Sequence, residues 1–168
     1  MNPLDFRIIP FDSNIDRDTF DSSIEPLNDY IKKYAKNNHL KGIGKTFLLI
    51  DSSKNLAGYY TVSMAEILYD TLPEESRKKL PRYPIPAMRI GRLAVDKKYH
   101  GIGLGGRLLV DALNRAIHLF DEIGIYTVIV DAKNESAIKF YEHYGFTKFY
   151  DRSNSLFLPI QAILKALK

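Results

Sequence analysis

The residues best suited to chemistry form a glycine-rich run in the middle of the chain, Gly101 to Gly106. It follows a strand-like segment, Ile90 to Val95, and leads directly into an amphipathic segment. Glycine lets a phosphate approach the main chain, and the first turn of a helix offers N–H groups at the positive end of its dipole. We therefore expect Ile102 to Gly106 to hold a phosphate or pyrophosphate. A tight turn that merely needs glycine is the alternative.

Two familiar phosphate loops do not fit this run. A Walker loop ends in Gly-Lys-Ser/Thr, whereas Gly105-Gly106-Arg107 stands here. The spacing Gly101-x-Gly103-x-x-Gly106 matches a dinucleotide fingerprint in letters. However, it lies mid-chain, and one strand–helix turn does not supply the two mononucleotide halves of that fold. The run therefore predicts another kind of anion site.

This run resembles the acetyl-CoA loop of the GNAT family of N-acetyltransferases, Gln/Arg-x-x-Gly-x-Gly/Ala. The register here is His100-x-x-Gly103-x-Gly105, and Leu93-Ala94-Val95-Asp96 before it is similar to the family's fourth strand. His100 departs from the usual Gln or Arg. The resemblance implies that the strand backbone contacts pantetheine, that one of its N–H groups polarises the thioester carbonyl, and that the loop holds the pyrophosphate. The acetyl-CoA-binding residues implied are Leu93, Ala94, Val95, His100, Gly101, Ile102, Gly103, Leu104, Gly105 and Gly106.

A second motif, Asn134 to Phe146, resembles the GNAT signature Asn-x-x-Ala-x-x-Phe/Leu-Tyr-x-x-x-Gly-Phe position by position. The resemblance implies that Asn134 turns the chain beside the CoA arm. It also implies that Tyr141 protonates or hydrogen-bonds the departing CoA sulfur. A phenol in that place stabilises the thiolate that acyl transfer expels. The alternatives are that Asn134 is only a helix cap and that Tyr141 is a core aromatic residue.

The side chains available to deprotonate the acceptor indicate which kind of amine it is. A lysine amine, with a pKa of about 10.4, needs a base, whereas an α-amine, at about 7.7 to 8.0, is substantially neutral near pH 8. GNAT enzymes that acetylate lysine often carry a carboxylate on the fourth strand, where this chain has Arg89 and Arg92. Glu66 is the obvious substitute, or simply an exposed strand carboxylate. The pattern favours an α-amino ester, as on aminoacyl-tRNA.

A closer resemblance is to the toxin branch of GNAT enzymes, which acetylates aminoacyl-tRNA and is held in check by a ribbon-helix-helix antitoxin. The stretches that carry it are Phe20 to Ala35, Lys45-Thr46-Phe47, Ala57 to Thr61, Pro84-Ile85-Pro86 and Ser155 to Leu158. Basic residues fit a tRNA substrate, since Lys and Arg bind phosphates irrespective of sequence. They are Lys32, Lys33, Lys36, Lys41, Lys45, Arg77, Lys78, Lys79 and Arg82. A solvated charged face is the alternative, and Arg89 and Arg92 could bind tRNA or pair with nearby acids.

Composition sets limits on the class of protein. The 168 residues suffice for one domain, 1–168, and 45% hydrophobic with 26% charged residues is ordinary globular composition. The absence of cysteine excludes disulfides, thiolate metal sites and a cysteine nucleophile. Four scattered histidines predict no metal. A net charge of +4 suits a polyanionic cofactor or nucleic acid. We expect no membrane span and a cytoplasmic location, and a homodimer stays open.

Hydrophobic periodicity and turn residues predict a mixed α/β sheet of about six to seven strands, with helices on both faces. The resemblance to the GNAT family implies in addition that the central strand pair is splayed. Residues 70 to 88 are expected to be irregular, with a short helix in 70–80 and prolines after it. The predicted strands are Leu4–Pro10, Thr46–Ile50, Leu56–Ile67, Ile90–Val95, Thr127–Ala132, Phe146–Tyr150 and Ser155–Leu158. The predicted helices are Pro26–Lys36, Leu104–Phe120 and Glu135–Tyr144, followed by a short amphipathic tail, Ile160–Lys168.

Three other functions stay open at this point. The acceptor could be a small amine, such as a polyamine or an antibiotic, although a polyamine pocket should be acidic. It could also be a protein amine. The chain could instead be a non-catalytic acyl-CoA-binding module, which Tyr141 disfavours. The tail Ile160–Lys168 could bind a partner such as an antitoxin.

Overall fold

The computed structural model describes residues 2, 5–150, 152 and 154–167. The chain packs into two compact units. The first comprises the residues up to Ser63 together with Gly91–Ala112. The second comprises Met64–Ile90 together with the residues from Leu113 onward.

Within the described part of the chain, seven strands form one mixed sheet, which confirms the predicted fold class. They are β1 Arg7–Pro10, β2 Lys45–Ile50, β3 Leu56–Ile67, β4 Ile85–Val95, β5 Thr127–Asp131, β6 Thr147–Lys148 and β7 Ser155–Pro159, in the order β1-β2-β3-β4-β5-β7-β6. β1–β2, β2–β3, β5–β7 and β6–β7 are antiparallel, and β4–β5 is parallel. The β-branched run of β5 is fully enclosed, as expected for a central strand.

The parallel pairing between β4 and β5 has a definite end. It joins Ala87–Ile90 to Thr127–Val130, with Ile90 opposite Val130 as the last pair in register. From Gly91 onward, β4 belongs to the first unit. This early end of the pairing agrees with the predicted splayed central pair.

The helices are α1 Glu25–Asp29, α2 Ala35–Lys41, α3 Glu74–Arg77, α4 Leu104–Phe120, α5 Glu135–His143 and α6 Ile160–Ala166. A π-helical turn, Tyr30–Tyr34, joins α1 directly to α2. The α4 bounds are those predicted, because its apolar residues recur at helical spacing and are buried at Leu104, Leu108, Leu109, Ala112, Leu113 and Ala116.

Two predicted boundaries were wrong. The first helix runs past Lys36 to Lys41, because Gly42 is the first residue with the left-handed conformation that ends a helix, at φ 74°. Residues 85 to 88 are not irregular but form the start of β4. Pro86 lies at the start of β4, where a missing N–H donor is best tolerated, and its carbonyl accepts a hydrogen bond from the Tyr126 N–H at 2.9 Å.

Smaller differences concern the ends of other elements. The first strand begins at Arg7, and the predicted start at Leu4 lies outside the described residues, as does Lys168 of the tail. β6 is only two residues long, although Phe146 and Phe149 around it are buried. Their side chains give this stretch its strand-like pattern without regular backbone pairing.

Each unit has its own core. In the first, buried residues of β2, β3 and the α1–α2 region surround Tyr59, whose hydroxyl donates to the Leu27 carbonyl at 2.6 Å. In the second, Leu72, Ile129 and Phe157 belong to a cluster that β3, β4, β5 and β7 share. Residues of the segment between β3 and β4 are thus part of the second core.

The backbone of the first unit is closely packed at Gly58 on β3. A Cβ atom added there would lie 2.7 Å from the Ala94 carbonyl oxygen and 3.1 Å from Leu108 Cδ1. Only glycine therefore allows β3, β4 and α4 to approach one another at this point.

We predict that Gly58→Ala destabilises the protein by about 1–3 kcal/mol, because the added methyl group overpacks a junction made of backbone. The measurement is the free energy of unfolding in urea. Gly124→Ala is the matched control, since a Cβ there meets nothing within 4 Å. Equal stabilities for the two variants would contradict this account of the junction.

Candidate functional site

The glycine-rich run has the geometry that its sequence predicts. Gly101 and Gly103 have φ values of 84° and 85°, which side-chain-bearing residues rarely adopt. An added Cβ at either position meets nothing within 4 Å, so the backbone conformation requires glycine and the space around the loop is open. α4 begins at Leu104, and the N–H groups in the first turn of a helix have no partners within the helix. The arrangement suits an anion.

A buried carboxylate holds the segment that leads into this loop. Asp96 is 1% exposed, and its side chain accepts hydrogen bonds from the Lys98 N–H at 2.9 Å and the Asp21 N–H at 3.0 Å. Its own N–H donates to the Ala57 carbonyl at 2.8 Å. Sequence reasoning assigned Asp96 no role, although it ends the strand motif. It fixes where the loop leaves β4.

His100 connects the loop to the end of β4. Its Nε2 lies 2.8 Å from the Val95 carbonyl oxygen, and since a carbonyl can only accept, Nε2 carries the hydrogen. The neighbouring Ala94 is buried, while Leu93 and Val95 are half-buried. The histidine found at the family's Gln or Arg position therefore braces the loop against the strand.

Arg92 is engaged by an aromatic ring rather than by an acid. Its guanidinium carbon lies 3.6 Å from the ring centroid of Tyr30, on the π-helical turn. Tyr30 in turn stacks on Tyr59, with centroids 6.3 Å apart. A cation–π contact thus occupies Arg92 within the first unit, which neither sequence alternative foresaw.

The second motif lies in the second unit and includes a buried phenol. Asn134 caps α5, its Oδ1 accepting from the Ala137 N–H at 2.9 Å. Tyr141 is 6% exposed, and its ring meets Phe140 and Phe146 edge-on at 5.2 and 5.4 Å. Burial, and then the charge of Asp131, raise the pKa of Tyr141 well above its ordinary value. The phenol therefore keeps its proton and is available as a hydrogen-bond donor.

Two of the predicted acceptor-side residues line one small cavity of about 50 Å³ in the second unit, Glu66 and Arg89. Arg89 forms an ion pair with Asp131, whose other oxygen accepts from Ser155 Oγ at 2.8 Å. Sequence reasoning missed Asp131 and Ser155. The signal available for Asp131 was a charged residue directly after the apolar run of β5.

The other two predicted acceptor-side residues lie elsewhere. Arg82 lines a separate cavity in the same unit, which is formed by the segment that joins β3 to β4. Arg92 is in the first unit. Among the described residues, no group of three or more His, Cys, Asp or Glu could hold a metal ion. No helix in the described ranges is long and apolar enough to cross a membrane.

Comparison with known proteins points to one family. The family described as acetyltransferase (GNAT) domain matches residues 44–148. The tRNA-acetylating toxin of Mycobacterium tuberculosis (strain ATCC 25618 / H37Rv) is 36% identical over 135 residues, 80% of either chain. A crystal structure of a tyrosine-to-phenylalanine mutant of KacT has a TM-score of 0.92 at 30% identity, covering 96% of this chain and 99% of that one.

AtaT is a further similar protein, and its structures include bound molecules. AtaT complexed with acetyl-methionyl-tRNAfMet has a TM-score of 0.91 at 29% identity, covering 98% of this chain and all of that one. AtaTR bound with acetyl-CoA gives a TM-score of 0.86. A tyrosine-to-phenylalanine mutant of AtaT, bound to the C-terminus of the antitoxin AtaR, gives 0.83.

Asp21, whose N–H donates to Asp96, predicts a pH dependence of the stability of the protein. Hydrogen bonds from Ser23, Lys97 and Asn28 lower the pKa of Asp21 to about 2, and its ion pair with Lys97 spans 3.0 Å. Because the folded pKa lies below the unfolded value of about 3.9, Asp21 stabilises the fold above about pH 4. That contribution is lost as the pH falls towards 2.

The measurement is the melting temperature of the wild type and of Asp21→Asn from pH 7 to pH 2. We expect a constant difference between pH 5 and pH 7 that disappears as the pH approaches 2. A difference that grows as the pH falls would contradict the role given to this carboxylate.

Proposed function

We propose that this chain, which belongs to the GNAT acetyltransferase family, transfers the acetyl group of acetyl-CoA to the α-amine of aminoacyl-tRNA and thereby inhibits translation. The observation that carries the proposal is the similarity, over 98% of the chain, to AtaT complexed with acetyl-methionyl-tRNAfMet. The open glycine loop and the buried phenol supply the parts that such a reaction needs.

Acetyl-CoA is held mainly by backbone groups. The N–H groups of Ile102 to Gly106 bind the pyrophosphate at the positive end of α4, where the glycine conformations leave room for it. Leu93 to Val95, beyond the last pair with β5, offer main-chain groups to the pantetheine. Asn134 turns the chain beside the CoA arm.

The transfer is direct, with no covalent enzyme intermediate. The neutral amine attacks the thioester carbonyl, which a backbone N–H of Leu93 to Val95 polarises, so that a C–N bond forms and the C–S bond breaks. Tyr141 hydrogen-bonds the departing CoA thiolate and gives it a proton, the attacking amine loses one proton to solvent, and the phenol regains a proton from solvent before the next turnover. Because burial keeps Tyr141 protonated, the donor is present throughout the neutral range.

The side chains on the acceptor side support an amine that needs no strong base. β4 carries Arg89 and Arg92 where lysine acetyltransferases often carry a carboxylate. Asp131 is held by Arg89 and Ser155, and Glu66 is solvent-exposed. An α-amine of an aminoacyl ester is already substantially neutral near pH 8 and can react in such a site.

The proposed activity also implies a cellular location, acceptor-side residues and a regulatory partner. The domain spans 1–168 and works in the cytoplasm, where charged tRNA is found. Glu66 and Arg89, which line one cavity, are assigned to the side of the acceptor amine, and Arg82 and Arg92, which lie elsewhere, to the tRNA. A ribbon-helix-helix antitoxin holds the enzyme in check, and a homodimer is compatible with the fold. The structure of AtaT bound to part of AtaR supports the antitoxin assignment.

We predict that Tyr141→Phe lowers the rate of acetyl transfer by 100-fold or more while acetyl-CoA binding is kept, because only the proton donor is removed. Expression of the wild type alone should arrest bacterial growth, and expression of the variant should not. Tyr144→Phe, on the same helix end and 37% exposed, is the control that should stay toxic. Full activity of Tyr141→Phe would refute the role of this phenol.

We also predict that Gly103→Ala weakens acetyl-CoA binding by at least 10-fold, since alanine disfavours the φ of 85° that opens the loop. Isothermal titration with acetyl-CoA measures the effect. Gly42→Ala is the control, because Gly42 has a similar φ of 74° and equally free space, but ends α2. Equal losses of affinity in both variants would mean that only stability had changed.

A further inference from the structure

The segment from Leu68 to Pro84, between β3 and β4, carries aromatic and basic side chains that take no part in the acetyl-transfer step itself. Two cavities of about 410 and 260 Å³ lie in it and share Tyr69, Asp70 and Arg82. The larger is also lined by Glu74, Arg77 and Lys78, and the smaller by Leu68, Tyr83 and Pro84. We call these lining residues together the 68–84 surface.

Tyr69 organises the cations of this surface. The guanidinium carbons of Arg77 and Arg82 each lie 5.8 Å from its ring centroid. Its hydroxyl donates to the Arg77 carbonyl at 3.2 Å, which fixes the ring. Two arginines are thereby held near one aromatic ring, and a planar guanidinium is suited to phosphate oxygens.

The segment that forms the 68–84 surface is attached to the second core. Leu72 is 1% exposed in the second core. Thr71 donates its hydroxyl proton to the Leu68 carbonyl at 2.7 Å and accepts at its own carbonyl from the Tyr150 N–H at 3.2 Å. The segment is therefore anchored from below, and its outward side chains are presented from a defined position.

The outward side chains combine apolar faces with positive charge. Tyr83 is 64% exposed and Leu68 is 61% exposed, so both present apolar surface to solvent. Cations outnumber carboxylates by one in residues 69–84, where Asp70 and Glu74 are among the carboxylates. Proteins bind single-stranded nucleic acid by stacking bases on aromatic rings and placing cations along the backbone. A base-paired helix offers no free base faces to such rings.

We propose that the 68–84 surface binds the unpaired nucleotides at the 3′ end of the acceptor RNA, next to the aminoacyl ester. A base stacks on Tyr83, and Arg77 and Arg82 contact the phosphates. This inference rests on the proposed function, whose acceptor ends in such a single strand. It assigns the surface to recognition of the RNA end rather than to the chemical step.

The test compares RNA binding and acetyl transfer in matched variants. Fluorescence anisotropy measures the affinity for a labelled single-stranded RNA of about ten nucleotides and for the same RNA in a blunt duplex. Transfer of labelled acetyl to a charged tRNA pool gives kcat/KM. The variants are Tyr83→Ala, Tyr83→Phe and the control Tyr150→Ala, which removes a tyrosine that is 82% exposed outside the surface.

Tyr83→Ala is expected to weaken single-strand binding and to lower kcat/KM for charged tRNA by about 10-fold or more, the usual range for loss of one stacked base. Tyr83→Phe should keep both, because stacking needs the ring and not the hydroxyl. Tyr150→Ala and all duplex affinities should be unchanged. The acetyl-CoA affinity and the melting temperature of Tyr83→Ala are the controls for folding, and we expect both to equal those of the wild type.

Three results would overturn the proposal. Unaltered RNA affinity and rate in Tyr83→Ala would do so, and so would equal losses for single strand and duplex. If Tyr83→Ala no longer co-purified with a protein partner but still bound RNA, the surface would be a protein interface instead. If the wild type acetylates no charged tRNA, the proposed function fails, and the binding measurement still decides whether the surface takes single-stranded RNA.

Discussion

The left-handed backbone at Gly101 and Gly103 is the constraint on which the rest of the site depends. It turns the chain out of β4 and into α4 within a few residues and leaves open space beside both glycines. Asp96 is buried to secure the entry to this turn, and His100 ties the turn back to Val95. The close approach at Gly58 has the same purpose, since it seats β4 and α4 against β3. Much of the first unit therefore supports one backbone conformation.

The polar groups of both units follow a second principle, that cations and phenols are held by partners before any ligand is bound. Arg92 is held by Tyr30, and Arg89 by Asp131. Tyr141 is enclosed by two phenylalanines and kept protonated by burial and by a nearby carboxylate. Such groups are already oriented, so little ordering is needed when the acceptor and donor arrive.

Much of this could be predicted from the sequence, because local signals and tertiary packing agree there. The glycine run, the spacing of α4 and the Asn134 cap each give a physical reason for one conformation. The sequence could not predict that β4 begins at Ile85, because prolines locally disfavour a strand and the hydrogen bond from Tyr126 comes from a distant segment. It also could not predict the partners of Arg89 and Arg92, which come from distant segments. Pairings across the sheet leave no local pattern to read.

The measurement that tests the central claim most directly is the transfer of labelled acetyl from acetyl-CoA to a pool of charged tRNAs, with uncharged tRNA and spermidine in parallel. The account predicts label in the charged pool alone, released with the amino acid when the ester bond is hydrolysed at mild alkaline pH. Label in spermidine, with none in charged tRNA, would keep the fold and the cofactor but contradict the acceptor. It would also contradict the inference drawn from the arginines on β4.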